Sequence, residues 1–258
     1  MADNCIQLLG CLKITIDDKE LTTVFSGSKV KLLAYLLLTF DMPQSRKQIA
    51  FDFWPDSTEK QTLSNLRKLL HNLRGCHPKI DRYLKITPSY IHWNDELPFI
   101  SDVREFEQAA KGKHLCELRK AEELYKGELL PGFNEEWLDA RRKQLAQTYL
   151  NMLDKLISIL ESQREYPSAI FYANKLLVRN QLSEETYRML MRLHALNKDM
   201  AGVAQIYRRM HRTWQEELGI GPAEETVQLL ERLMQNGFEP STAAQNKLIG
   251  RTAKWGTF

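Results

Sequence analysis

The 258-residue chain lacks most features that mark enzymes, exported proteins and membrane proteins. No apolar run approaches the roughly eighteen residues needed to span a bilayer, and the opening MADNCIQLLGCL lacks the basic stretch of a signal peptide. No membrane association is expected, and the expected location is the cytoplasm. The four cysteines, Cys5, Cys11, Cys76 and Cys116, lie far apart with no CxxC pair, which argues for reduced thiols over a disulfide framework or zinc site. The six histidines form no HExxH and have no carboxylate at ligand spacing, so no metal is expected. There is no GxxxxGK[ST] phosphate loop, no GxGxxG after a strand and no GxSxG elbow. Neither a cofactor nor catalysis is therefore expected. Net charge is small as well, +3 over the whole chain, and by itself points to no nucleic acid.

What is present is unevenly distributed. A hydrophobic content of 43% is enough for a real core in one or two domains. Between Ser57 and Lys85 seven bases (Lys60, Arg67, Lys68, Arg74, Lys79, Arg82, Lys85) stand against two acids (Glu59, Asp81), a local excess larger than that of the whole chain. Within it, STEKQTLSNLRKLLHNLR predicts a helix from Ser57 to Arg74. Leu63, Leu66, Leu70 and Leu73 recur at the spacing of one buried stripe. Gln61, Ser64, Asn65, Lys68, His71 and Asn72 fall on the opposite side, which holds no carboxylate. These residue types hydrogen-bond to base edges and phosphates. A solvated helix face ordinarily mixes acids with bases to gain i, i+4 pairs. Ser57, ahead of Thr58 and Glu59, is the expected cap.

Around this helix the chain alternates between strand and helix patterns. Ile6–Leu9 and Leu12–Ile16 read as two short strands joined onward by DDKE. Ser28 is expected to cap a leucine-rich buried helix, KVKLLAYLLLTF, and Ser45 a second, RKQIAFDFW, with Ile49, Ala50 and Phe53 inward. After the third helix, YLKIT and YIHWN alternate around Pro88-Ser89 as a β-hairpin. Strands, three helices and a hairpin are the order of a winged helix-turn-helix.

The buried Leu32-Leu33 helix, the Phe53-Trp54-Pro55 corner, Asn65-Leu66-Arg67-Lys68 with Leu73-Arg74, and the hairpin YLKITPSYIHW resemble the OmpR-type winged helix that opens bacterial SARP-type activators, the antibiotic-regulatory family. The resemblance implies that the third helix enters the major groove, with the hairpin as a wing. Gln61, Ser64, Asn65 and Lys68 then become candidates for base or near-base contacts, and His71 and Asn72 sit at the groove's edge. Lys60 and Arg67 are candidates for phosphate contact, with Arg67 expected nearer the buried side. Ser45, Arg46 and Lys47 would offer N–H groups and charge to a phosphate. Ser89 and Tyr90 form a wing tip without arginine, for which backbone contact is expected.

From Asp102 onward the pattern is helical throughout. Helices are predicted over Val103–Lys111, Leu115–Tyr125, Glu135–Gln163, Pro167–Arg179, Ser183–Asn197, Met200–Leu218 and Ala223–Asn236. A 34-residue period relates Tyr166 to Met200, Ala169 to Val203, Ile170 to Ala204, Tyr172 to Ile206 and Leu156 to Leu190, as in tetratricopeptide-like arrays. Tyr166, Phe171, Tyr172 and Tyr207 are expected in the core, and Trp137 is expected to fix the turn into the long helix. The Arg141-Arg142-Lys143 cluster beside Glu135, Glu136 and Asp139 reads as i, i+4 pairs in preference to a docking patch. The segments LLPGFNEEWLDARRKQLAQTYLNMLDKL, SEETYRMLMRLHALNKDMAGVAQIYRRM and EELGIGPAEETVQLLERL resemble the bacterial transcriptional activation domain that follows the winged helix in the same family. KLIGRTAKW, from Lys247, is similar to the start of the ATPase module found in larger members.

The expected fold is mainly α: an N-terminal winged helix-turn-helix (α+β) followed by an all-α tetratricopeptide-like helical repeat. The expected domains are 1–98 for DNA binding, 99–238 for activation, and 239–258 as a linker into the truncated start of an ATPase domain. What the resemblance implies for function is a sequence-specific transcription activator. It would bind double-stranded DNA at promoter direct repeats as a homodimer and contact RNA polymerase holoenzyme. The alternative is a tetratricopeptide-like protein-interaction adaptor whose winged helix does not read DNA.

Overall fold

The computed structural model describes residues 4–236, except 24, 26, 40, 95 and 98. The expected linker and ATPase start at 239–258 lie outside the described residues. The chain divides into two compact units, one up to Met152 and one from Leu153 onward.

The first unit opens with β1 (Cys5–Gln7), β2 (Lys13–Ile16) and β3 (Lys19–Glu20), followed by α1 (Ser28–Leu38), β4 (Gln44–Ser45), α2 (Arg46–Phe53) and α3 (Glu59–Arg74). A short α4 (Ile80–Tyr83) leads into the hairpin β5 (Leu84–Ile86) and β6 (Tyr90–Trp93), and β7 (Ile100–Ser101) precedes α5 (Asp102–Ala110) and α6 (Leu115–Leu124). The first sheet has the order β3-β2-β1-β7, with β7 parallel to β1. Asp17 and Asp18, both at positive φ, form the two-residue turn between β2 and β3, a conformation that aspartate tolerates better than most residues. The second sheet, β4-β6-β5, is the wing, held by the registers Gln44↔Ile91 and Leu84↔Trp93.

The leucines of α1 explain the centre of this unit. Leu32, Leu33, Leu36 and Leu37 are buried together with Ile49, Leu66, Leu70, Leu73, Ile91 and Trp93. Tyr83, Trp93 and Phe99 close one end as rings 5.1–5.4 Å apart. Trp137 meets Tyr35 edge-on at 5.0 Å and stacks on Phe53 at 6.2 Å. It therefore fixes the start of α7 (Glu136–Ser162) as an aromatic packed on α1 and α2.

Several local expectations are corrected. None of the serines caps as anticipated: Ser28 lies inside α1 behind Gly27, and the N-caps of α2 and α3, Ser45 and Thr58, make no side-chain cap bond. Ser45 is instead drawn into β4 opposite Tyr90. The α3 stripe includes Leu69, buried, whereas Leu63 is only half-buried. Phe53 is also half-buried, and β3, β4, β7 and α4 are additional elements.

Arg142 makes one of the expected local pairs, with Asp139 at 3.6 Å, but the shorter contacts of Arg141 and Arg142 to acids and carbonyls are with distant residues. Arg141 reaches back to Glu107 at 2.8 Å, and Arg142 donates to the carbonyls of Leu129, Leu130 and Phe133 at 2.9, 2.8 and 2.6 Å. These distant partners lie in the preceding loop and helix, out of reach of a helical-wheel argument.

The second unit contains the last part of α7, then α8 (Tyr166–Arg179), α9 (Glu184–Leu196), α10 (Met200–Leu218) and α11 (Glu224–Asn236). α8 and α10 begin 34 residues apart, the repeat period. The repeat-related pairs Ala169 and Val203, and Leu156 and Leu190, are buried. Ser183 and Asp199 cap α9 and α10 through Thr186 N–H and Gly202 N–H. Of the four aromatics expected inside, Phe171 is exposed and Tyr166, Tyr172 and Tyr207 are half-buried; the small Ala169 and Ala173 fill the contact between helices instead.

Candidate nucleic-acid interface

The face of α3 away from its leucines is built by exclusion. Leu66, Leu69, Leu70 and Leu73 are buried with Thr62, whose hydroxyl bonds to the Glu59 carbonyl at 2.9 Å. That leaves Lys60, Gln61, Arg67, Lys68, His71 and Asn72 exposed and Ser64 and Asn65 half-buried. Arg67 is thus on the solvent side, not near the core as expected, because burial of Leu69 turns the apolar stripe away from it. The same rotation brings Asn65, Lys68 and Asn72 to a recess of about 540 Å³ that they share with Ser28, Lys29 and Trp54. The sequence signal for this was Leu69, adjacent to Leu70, which completes the stripe.

Charge pairing occupies three of the seven local bases, all of them off this face. Arg74 is bound to Asp81, Lys79 to Asp17 and Lys85 to Glu96. Arg74 holds the Asp81 carboxyl below the usual carboxylate range. Lys60, Arg67 and Lys68 have no ion-pair partner among the described residues. Three cations without carboxylates on one helix face form a surface whose potential favours a polyanion.

The flanks of α3 are arranged differently from expectation. The Arg46 N–H donates to the Ser89 carbonyl at 2.9 Å and its guanidinium to the Thr87 carbonyl at 3.1 Å. The N–H expected for a phosphate is therefore engaged in holding the wing turn to α2. Lys47 pairs with Glu59 at 2.6 Å while remaining largely exposed. At the wing tip Thr87 and Tyr90 close the turn, Thr87 N–H bonding to the Tyr90 carbonyl at 2.9 Å and Tyr90 N–H to the Thr87 hydroxyl at 2.9 Å. Pro88, Ser89 and Tyr90 stay exposed, and the cation near this tip is Arg46. Sequence reasoning missed that Arg46 links two elements, since nothing local pairs it with Thr87.

Residues 101–234 match the family model described as the bacterial transcriptional activator domain, more than half of the chain. The chain belongs to this family. No curated protein matches the sequence. Among solved structures, that of Mycobacterium tuberculosis EmbR in complex with a low-affinity phosphopeptide is similar, with a TM-score of 0.69 at 18% identity, covering 91% of this chain and 65% of that one. At that identity the likeness is one of fold. It covers the winged helix as well as the helical repeat, so the SARP-like order of a winged helix followed by an activator domain holds for this member of the family. No described helix is long and apolar enough to cross a membrane, and the described residues contain no cluster of three metal-ligating side chains.

Proposed function

We propose that the protein is a sequence-specific DNA-binding transcription activator in which α3 enters the major groove. Residues 1–98 act as the DNA-binding domain and 99–238 as the activation domain, in contact with RNA polymerase holoenzyme or a second protomer. The observation that carries this reading is the outer face of α3. Lys60, Arg67 and Lys68 lie there without carboxylate partners beside exposed Gln61, His71 and Asn72 and half-buried Ser64 and Asn65. Asparagine and glutamine can pair with adenine edges, lysine with guanine or phosphate, and the wing beside them can rest on the backbone. A winged helix that served only to hold another protein would have no reason to keep a basic face free of acids. Few arginines face outward, so one half-site should bind weakly, and two protomers on direct repeats supply the missing affinity.

Selection of random duplex DNA by the purified chain at two salt concentrations tests the proposal. Recovery of a repeated motif, its half-sites about one helical turn apart, is the expected result. Binding without any enriched sequence, lost at modest salt, would reduce the interaction to attraction between charges and favour the adaptor role.

A further inference from the structure

A second basic surface lies far along the sequence from α3. In the second unit, α8, α9 and α10 enclose a half-open recess of about 580 Å³, lined in part by Asn174, His194, Arg208, Arg209 and Arg212. No carboxylate lines it. None of the three arginines has an ion-pair partner among the described residues, and α8 contains no acidic residue at all. Asp199, in the turn before α10, is already engaged: it accepts from Gly202 N–H at 2.8 Å and lies 2.8 Å from His194 Nδ1. Glu216, one turn after Arg212, does not line the recess and forms no ion pair with it among the described residues. Gly202 makes this arrangement possible, because a Cβ there would sit 2.2 Å from His194 Nδ1 and 2.3 Å from Asp199 Oδ2. Three arginines within two turns of α10, none paired with a carboxylate among the described residues, give this recess a positive potential that favours an anionic ligand.

The shape narrows the ligand. Ile170 and Asn174 of α8 lie one turn apart and continue to Val178, which is 63% exposed; by the 34-residue period Asn174 corresponds to Arg208 and Val178 to Arg212. Val178 is thus an exposed apolar position on α8, one turn beyond a residue that lines the recess. A compact anion would have no use for that apolar position, and a nucleic-acid backbone brings no apolar side chain to meet it. An extended chain bearing carboxylates and an apolar side chain matches both parts.

We propose that this face of the helical repeat binds an extended acidic peptide segment of a partner protein, with carboxylates on Arg208, Arg209 and Arg212 and an apolar residue against Val178. Arginine's fork suits bidentate carboxylate binding. The proposal does not depend on DNA reading by α3.

The test uses the full chain and a short fluorescent peptide of glutamate and aspartate residues with two leucines, followed by anisotropy. Salt-sensitive binding is expected, and R208E/R212E should weaken it about tenfold or more. The milder R208Q/R212Q should weaken it less while keeping the melting temperature of the parent, and K143E, elsewhere on the chain, should leave it unchanged. A peptide with glutamine and asparagine in place of the acids should not bind. Equal binding of that neutral peptide, or no effect of R208E/R212E, would overturn the proposal. Displacement of the acidic peptide by inorganic phosphate at similar concentration would assign the recess to a small anion instead. Loss of duplex DNA binding in R208E/R212E, without loss of peptide binding, would make it a nucleic-acid surface. Each of these outcomes also overturns the peptide assignment.

Discussion

At the scale of single residues, the most consequential side chain outside the interface is Asp102. It is buried at the start of α5 and accepts from Leu8, Leu9 and Val103 N–H groups at 2.8–3.0 Å. Burial pushes its carboxyl above the ordinary range, although these N–H groups pull it down. The folded chain then holds this proton to higher pH than the unfolded chain does. The stability contributed by Asp102 is present at low pH and lost as pH rises through the window just above the usual carboxylate range. Asp102→Asn should remove that slope. It should also lower stability by about 1–3 kcal/mol, because an amide NH₂ cannot accept from Leu9. Urea unfolding followed across acidic pH checks both. Arg142 is a comparable case: Arg142→Lys keeps the charge but cannot satisfy three carbonyls in the same fork. It should cost about 1–3 kcal/mol in the same measurement. Neither role was legible in sequence, where Asp102 read as a helix boundary and Arg142 as one of a surface cluster.

At the scale of elements, α3 is where sequence and structure agree best. Its leucine period set both the helix and the side that faces out, and burial of Leu69 and Thr62 in place of Leu63 only turned the stripe. Leu66→Ala should destabilise the first unit by about 2–5 kcal/mol, read from thermal or urea unfolding, because the side chain is fully buried between helices. Lys68→Ala should weaken DNA binding across sequences and lower the log–log salt slope by about 0.9. Asn65→Ala should instead blur base preference in a selection experiment more than it lowers affinity. Equal losses on every DNA sequence for both variants would remove Asn65 from the base-reading set. The wing was legible as a hairpin because alternation has a period of two. Its third strand, β4, was not, since two residues carry no periodicity and exist as a strand only by pairing with β6.

At the scale of the whole molecule, the winged helix does not end where its hairpin ends. β7 pairs with β1, Leu130 N–H donates to the Leu8 carbonyl at 2.8 Å, and Gly10 N–H donates to the Glu128 carbonyl at 2.8 Å. Gly10, at positive φ, and Gly127 bring two backbones together; a Cβ on Gly127 would lie 2.9 Å from Gly10 Cα. A fragment ending at residue 98 loses all of these partners and the Trp137 packing. It should unfold at lower urea than the full chain when Trp93 fluorescence is followed, and Gly127→Ala in the full chain should move the transition in the same direction.

The sequence by itself determined the local periodicities: the leucine stripe of α3, the alternation of the wing, and the 34-residue repeat behind α8 and α10. These follow from helix and strand geometry, which every residue reports to its near neighbours. Only the tertiary structure decided that Asp102 holds β1, that Arg46 joins α2 to the wing, and that Arg208, Arg209 and Arg212 line a recess free of carboxylates. Each depends on groups tens of residues apart meeting at hydrogen-bond or van der Waals distance. Such meetings are set by how all the elements pack at once, and no window along the chain contains them.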